Sequence, residues 1–443
     1  STMASERFTR ARALLSDLEV DAILVTNGTN RRYLTGFTEP DAALVMVIRD
    51  GRVEETLFVN PRDPGRETWE GLRMGPERAL AETGMPGRSV GELESVVDSL
   101  LAYHDEIRVV GPFQPGAAIQ NDVSQRLNRL VERRDGVALR PVNAQVNALR
   151  ALKSPAELDL LRQSVAITVA AHHEAMARLA PGRNEFELQA AIEATFRRYG
   201  SERPAFASIV GSGPNSTILH YNANDRFMED GDVVVIDIGA SYGGYAADVT
   251  RTYPVNGVFS DELRAIYQVV RDAQAAAEAL AAEGAARSDM SRAADGILAR
   301  GLAELGLIQG EDATWDCPVR GEPGSYRECS QLGLLYFHAL GHGIGLNVHD
   351  PTPPETVPGS AISIEPGIYV RPGHLETLPD TPRNRALVAA VGAAWARYDG
   401  IGVRIEDDYV MTEEGLTWIS RAPREIDEIE AAMRAARELR EGR

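Results

Sequence analysis

Four carboxylates set in apolar, strand-forming runs constrain this chain more than any other feature. Val235-Ile236-Asp237-Ile238-Gly239 and Ser363-Ile364-Glu365-Pro366-Gly367 each place an acidic residue at a strand end just before a glycine. Each is followed by a further strand-like run with its own carboxylate, Asp248 in the first case and Glu406 in the second. An ionised carboxylate buried without a partner costs several kcal/mol. A fold that buries these runs must therefore bring a cation to them. The repetition suggests two related half-domains face to face, an Asp pair opposite a Glu pair, with a pocket between them.

A hard divalent cation takes oxygen ligands, and one imidazole among them tilts the choice toward manganese, iron, cobalt or zinc. The candidate imidazole lies in HALGHGIGLNVHD, residues 338–350, which holds three of the eight histidines. Glycines on both sides of His342 permit close backbone approach. Taken singly, each residue has a plainer explanation. Asp237 and Asp248 would be turn or edge carboxylates, His342 a satisfied core histidine, and Glu365 and Glu406 salt-bridge partners. The ordered combination is what points to a metal.

The 443 residues suffice for two or three domains of about 150 residues. Hydrophobic residues make up 44% and charged residues 25%, an ordinary globular balance. No apolar run approaches the roughly 18 residues that cross a bilayer as a helix, so a soluble protein is expected. The net charge of −19 repels phosphate backbones and so excludes nucleic acid and anionic membranes as expected partners. Charged residues follow Ser1-Thr2-Met3 where a secretory signal would need an apolar core. A cytoplasmic location is expected, with Ser1-Thr2 read as a cloning scar. Cys317 and Cys329, in a glycine- and proline-containing stretch over 311–333, cannot build a disulfide framework and are expected to be free thiols.

Residues 1–148 read as a mixed α/β domain. Ala22–Val25, Ala43–Ile48 and Thr56–Val59 are strand-like, Asp50-Gly51 suits a tight hairpin turn, and helices are expected near 91–103 and 118–133 around a strand at Ile107–Val110. The opening helix turns Phe8, Ala11, Leu14 and Leu15 to one side. Ser154-Pro155-Ala156-Glu157 has the hydroxyl, proline and glutamate of a capped helix start, which puts the boundary just before it. Residues 149–443 then read as α+β. Asn184, Ser260 and Ser288 are expected to open helices, and strands are expected at Gly231–Gly239, Tyr245–Tyr253, Ala361–Ile364 and Val403–Met411.

The motifs ILHYNAN, VVVIDIGASYGGYAADVTRTYPV, HALGHGIGLNVHD, SIEPGIYV and GVRIEDDYVMTEEG resemble those of the pita-bread metallopeptidases, the group of methionine aminopeptidase, prolidase and aminopeptidase P. The resemblance spans nearly all of 151–430. It implies a creatinase-type α/β N-terminal domain and an α+β pita-bread catalytic domain with pseudo-twofold halves. It also implies that Asp237, Asp248, His342, Glu365 and Glu406 bind two divalent ions, with Asp248 and Glu406 bridging them and a hydroxide between. Manganese is the expected metal, with zinc, cobalt or iron as alternatives. Glu365 would also take a proton from the water, while His220 and His349 would stabilise the tetrahedral intermediate and protonate the leaving nitrogen. His338, Tyr369 and Arg404 match residues that bind substrate, and Thr250 and Arg404 would orient the ligands. His104, His172, His173 and His374 match nothing.

Methionine aminopeptidases usually lack so large a first domain, and creatinase and the non-catalytic peptide-binding relatives lack the five ligands present here. YLTGFTEPDA, FVNPRD with ETWEG, and IVGSGPN are similar to the aminopeptidase P branch, which releases the residue before proline from a peptide of the form Xaa-Pro-Yaa. The alternatives are prolidase, acting on Xaa-Pro dipeptides, and a binding-only relative. The resemblance further implies a homodimer or homotetramer. In it Trp69 is either a contact to the neighbouring subunit or a buried anchor of its own domain.

Overall fold

The short apolar runs of the N-terminal region pair into one six-stranded mixed sheet. In the computed structural model, which describes residues 2–18, 22–26, 28–50, 52–111 and 122–441, the chain divides into two units, Ser1–Arg150 and Ala151–Arg443. The first unit contains β1 (Ala22–Val25), β2 (Ala43–Arg49), β3 (Arg52–Val59), β4 (Gly87–Ser89), β5 (Glu106–Val110) and β6 (Ala138–Pro141), in the order β4-β3-β2-β1-β5-β6. β2 and β3 form the expected hairpin, with Arg49 opposite Arg52. Asp50 in its turn adopts a φ of 50°, while Gly51 lies outside the described residues. The parallel pairs β1–β5, β5–β6 and β3–β4 require crossovers, which are helical here. The helix Leu93–Leu101 buries Leu93, Val97, Leu100 and Leu101 on Phe58, Val109 and Leu127.

The helix expected near 118–133 is described as Asp122–Glu132, residues 118–121 lying outside the described set. In the opening helix Ala11, Leu14 and Leu15 are buried, and the side chain of Phe8 is outside the described residues. The reading of Trp69 as a buried anchor is overturned. The helix Pro64–Glu70 buries none of its residues, and Trp69 is 88% exposed.

In the second unit, Ser154 accepts from the N–H of Glu157 while Glu157 accepts from the N–H of Ser154, a reciprocal cap that starts the helix Pro155–Arg178. Asn184 and Ser260 cap the helices Glu185–Arg198 and Asp261–Leu280 in the same manner of side chain to backbone. Ser288 does not. The helix Arg287–Glu304 begins one residue earlier, its start fixed by Arg287 N–H donating to Pro354 O at 2.9 Å and by Ala286 pairing with Glu355, so no hydroxyl is needed there.

The strands of this unit are β7 (Arg203–Pro204), β8 (Ile209–Ser212), β9 (Val233–Ile238), β10 (Ala240–Tyr242), β11 (Tyr245–Ala246), β12 (Val249–Pro254), β13 (Thr314–Pro318), β14 (Tyr326–Ser330), β15 (Ala361–Ile364), β16 (Gly367–Tyr369), β17 (Gly402–Arg404), β18 (Asp407–Thr412) and β19 (Gly415–Trp418). They form the sheets β12-β9-β8, β15-β18-β19, β11-β10-β7, β16-β17 and β13-β14, with every pairing antiparallel. Each half therefore consists of a helix pair followed by strands. The halves meet where Thr250 and Glu406 exchange backbone hydrogen bonds of 3.2 and 3.0 Å.

Two strands expected as continuous are broken, and both breaks have the same cause. Tyr245–Tyr253 divides at Ala247–Asp248, and Val403–Met411 divides at Ile405–Glu406. At each break the carboxylate leaves the regular ladder to face the other half.

Cys317 and Cys329 are not free thiols. They form a disulfide across the β13–β14 hairpin with 5.9 Å between Cα atoms, inside the about 4.4–6.8 Å that such bonds require. Their spacing hides this because the turn of the hairpin falls between them. Protein unfolded without reductant should accordingly resist alkylation by iodoacetamide, as read by intact mass. Modification at both cysteines would contradict the bond.

Candidate metal centre

Strand register brings the carboxylates together. Asp237 lies opposite Thr250 across β9–β12, and Thr250 lies opposite Glu406 at the seam between the halves. Directly opposed residues of antiparallel strands share a face, so Asp237, Thr250 and Glu406 stand in one row. Asp248 precedes β12, and Glu365 follows β15. Asp237, Asp248 and Glu406 are buried, at 8%, 6% and 1% exposure.

His342 reaches this row because its neighbours lack side chains. A Cβ on Gly341 would lie 2.0 Å from Ser363 O, and one on Gly343 would lie 2.2 Å from Asp350 O. Nδ1 of His342 contacts Gly343 O at 2.9 Å. A carbonyl only accepts, so Nδ1 carries the proton and the Nε2 lone pair faces inward. Nε2 is 3.3 Å from Asp248 Oδ2, 3.5 Å from Glu365 Oε1 and 3.7 Å from Glu406 Oε1.

The donor set fits a divalent metal on two grounds. Ligand atoms of Asp248, His342 and Glu406 lie within 4.8 Å of one another. Three buried oxygens, Asp237 Oδ1, Asp248 Oδ1 and Glu406 Oε1, have no hydrogen-bond partner, although buried polar atoms normally do. Burial, reinforced by the neighbouring carboxylates, holds Asp248 and Glu406 well above the usual carboxylate range. Burial also pushes Glu365 up to about 8 and His342 down to about 4. The site thus favours neutral imidazole and disfavours bare carboxylates, which is the electrostatic state a cation relieves. Asp237 and Glu365 share the cavity but fall outside the tightest ligand group.

A line of hydrogen bonds orients Asp237 from behind. Arg404, 3% exposed, donates from Nη2 to Asp237 Oδ2 at 2.8 Å and from Nη1 to Tyr369 Oη at 3.0 Å. Nδ1 of His338 donates to Ala339 O at 2.9 Å, so Nε2 accepts from Tyr369 Oη at 2.8 Å. Burial lowers His338 to about 4, keeping it neutral for this role. Tyr369 is fully buried and does not line the cavity. It touches the site through Arg404 and His338, and substrate contact, expected for all three, is open only to the two lining residues. Thr250 donates to Glu406 Oε2 at 2.8 Å.

The ligands line a cavity of about 520 Å³ together with His220, His338, His349, Arg404 and an apolar wall of Phe206, Ile209, Leu219 and Val348. The ring of His349 stacks on that of His342 with centroids 3.9 Å apart.

Several residues beneath the floor escaped sequence reasoning. Arg251, fully buried, pairs with Asp407 and donates to the carbonyls of Thr250 and Glu406 at 2.9 and 2.8 Å. Asp408 accepts from the N–H of Asp248 at 2.9 Å. His172 donates from Nε2 to Val249 O at 3.0 Å and accepts from Tyr253 Oη. The EDD triplet at 406–408 was the available signal for Asp407 and Asp408. The apolar wall carried none.

A model described as metallopeptidase family M24 matches residues 159–413, and one described as the aminopeptidase P N-terminal domain matches residues 27–110. A Xaa-Pro aminopeptidase of Haemophilus influenzae is 34% identical over 410 residues, covering 90% of this chain and 86% of that protein. The structure of Pseudomonas aeruginosa aminopeptidase PepP superposes with a TM-score of 0.80 at 30% identity, covering 98% of this chain and 99% of that one. An alanine variant of Escherichia coli aminopeptidase P in complex with substrate gives 0.79 at 29% identity, with 98% and 99% coverage.

The site makes stability depend on pH when no metal is added. Folded, Glu365 keeps its proton up to about pH 8, against an ordinary value of 4.5. Its contribution is therefore complete below pH 4.5 and is lost as pH rises through about 8. His342 acts oppositely, adding stability as pH rises from about 4 to its ordinary 6.5. Above that the carboxylates decide. The thermal midpoint of metal-stripped protein should fall between pH 6.5 and 8, less steeply in Glu365→Gln. A midpoint that rises over this interval would refute the assignment.

Proposed function

The chain belongs to metallopeptidase family M24, and from that footing we propose that it is a metal-dependent aminopeptidase releasing the N-terminal residue of peptides with proline in second position. The observation that carries this is the cluster of orphaned, buried carboxylate oxygens around the His342 lone pair. It is supported by a matching two-part domain pattern and by relatives named Xaa-Pro aminopeptidase.

In this reading Asp237, Asp248, His342, Glu365 and Glu406, which line one cavity, would together hold two divalent ions. Bound there, the ions would supply an acidified water and polarisation of the scissile carbonyl. Glu365, the least buried of the four strand-end carboxylates, would serve as the proton acceptor at this site. Arg404 and Thr250 each hold one oxygen of Asp237 and Glu406, leaving Asp237 Oδ1 and Glu406 Oε1 without a hydrogen-bond partner. His220 and His349 sit on the exposed side of the same cavity. They stabilise the tetrahedral intermediate and deliver a proton to the leaving nitrogen. That delivery matters for a Xaa-Pro bond, whose leaving group is a secondary amine. The wall of Phe206, Ile209, Leu219 and Val348 suits an apolar pyrrolidine ring and asks nothing of an amide that has no N–H.

Manganese is the metal of this reading, because the donors are carboxylate oxygens with a single imidazole; zinc, cobalt and iron share that preference less closely. We take the working form to be a homodimer or homotetramer. Trp69, at 88% exposure on a helix that buries none of its own residues, calls for a partner. Trp69→Ala should shift sedimentation toward a smaller species, and an unchanged coefficient would remove this support. No described helix is long and apolar enough to cross a membrane. A cytoplasmic location belongs to the same reading, although the Cys317–Cys329 disulfide weighs against it.

The decisive experiment offers metal-stripped and manganese-reloaded protein Xaa-Pro-Yaa tripeptides and Xaa-Pro dipeptides side by side. Metal-dependent release of the first residue from the tripeptide, with weak dipeptide turnover, is expected. Asp248→Ala should release nothing. Preference for the dipeptide would make the enzyme a prolidase, and no cleavage of either by reloaded protein would leave a binding role.

A further inference from the structure

Lys153 belongs to none of the motifs above. It immediately precedes the Ser154 cap, and its ammonium is almost wholly withdrawn from water. Nζ lies 3.0 Å from Asp350 Oδ2, with the two side chains 1% and 2% exposed. Nζ also donates to Pro351 O at 3.0 Å, and the backbone N–H of Lys153 donates to Gly359 O at 2.8 Å. A buried ion pair gains little net stability, because desolvation offsets the attraction. Its role is better sought in what it holds in place.

It holds a loop. Asp350 N–H donates to Gly343 O at 2.8 Å, and Asp350 Oδ1 accepts from Asn347 N–H at 3.1 Å. Gly345 passes so near that a Cβ there would lie 2.4 Å from Asp350 Oδ2 and 2.9 Å from Lys153 Cε. His349 sits in this loop directly before Asp350. No group among the described residues hydrogen-bonds its ring, so the loop backbone and the 3.9 Å stack on His342 alone aim it.

We propose that Lys153 is a positioning residue for the reaction, acting through Asp350 to fix the 343–350 loop and with it the aim of the His349 imidazole. The proposal rests on the reading of His349 as a proton donor to the leaving nitrogen. With Lys153 neutralised, Asp350 Oδ2 loses the cation held 3.0 Å from it while the side chain stays buried, and the loop that Asp350 ties to Gly343 and Asn347 shifts to relieve that charge, carrying His349 with it. A displacement of about 1 Å in a catalytic group is enough to cost on the order of 100-fold in rate.

Two readouts test this. The first needs no activity. Imidazole resonances of metal-stripped protein are recorded, with the His349 signal identified by its loss in His349→Ala. Lys153→Met should move the His349 signal while leaving that of His172, which is buried against Val249 and Tyr253 in the same unit. The second is a mutant cycle on kcat/KM in reloaded enzyme. Lys153→Met should cost about 100-fold in the wild-type and His220→Ala backgrounds, but less than about threefold in His349→Ala. A merely structural lysine would cost the same in all three. If Lys153→Met does not fold, Lys153→Met with Asp350→Asn removes both charges together, and the same shift and the same non-additivity are expected. An unmoved His349 signal, or equal losses in every background, overturns the proposal. Failure of wild-type protein to cleave Xaa-Pro peptides overturns the peptidase reading instead, and the resonances still judge the coupling.

Discussion

Like charges crowded around one cavity govern the architecture of the second unit. Burial and neighbouring carboxylates hold Asp248, Glu365 and Glu406 above the usual carboxylate range, with Asp237 lining the same cavity, and each nearby structural oddity serves that crowding. Two strands break so that Asp248 and Glu406 can turn inward. Arg404, fully enclosed, neutralises one oxygen of Asp237 while leaving the other free. Thr250 takes one oxygen of Glu406 and likewise leaves the other. The surrounding hydrogen bonds satisfy each of these ligands on one side only. A fold seeking stability alone would have paired both oxygens or replaced the carboxylates with apolar residues of similar volume.

The imidazoles show a complementary economy. His338 and His342 each spend Nδ1 on the carbonyl of the following residue, at 2.9 Å in both cases. That local bond fixes the tautomer and presents Nε2 to its partner, Tyr369 in one case and the carboxylates in the other. A contact within one residue of sequence thereby decides a chemical property expressed across the cavity. His220 and His349 have no such tether. They lie on the exposed side of the cavity.

Much of this was legible in the sequence, and the remainder was hidden for physical reasons. Periodicity and capping residues placed the helices at Ser154, Asn184 and Ser260 because a side-chain cap is a local event. Ser288 misled because the start of that helix is fixed by Pro354 and Glu355, far along the chain. The strand runs were read too long because hydrophobicity continues through the breaks at Asp248 and Glu406. Only the opposing half explains why the backbone departs there. Cys317 and Cys329 were read as free thiols since their spacing does not reveal the hairpin between them. Lys153 was invisible because a lysine before a helix cap usually points to water, and its burial depends on Asp350, which arrives nearly two hundred residues later. The site residues stood out because several unusual residue types recur in order. The apolar wall did not, since phenylalanine, isoleucine, leucine and valine look alike wherever they pack.

The backbone exchange between Thr250 and Glu406 has a consequence for how the molecule comes apart. It stitches the two halves of the second unit at the point where the candidate ligands converge, with Asp237 and Asp248 on one side and His342, Glu365 and Glu406 on the other. An ion held by residues on both sides of that seam would cross-link segments far apart in the chain, closing a loop that the free chain would explore at large entropic cost. Occupancy would then set the cooperativity of unfolding, the halves melting as one body when the seam is clamped. With it empty, the mutual repulsion of the carboxylates lowers the threshold for the halves to part locally while each keeps its own helices and sheet. The centre that would do the chemistry is thus also the hinge pin of the domain, and the protein's resistance to proteolysis would report on its metal supply.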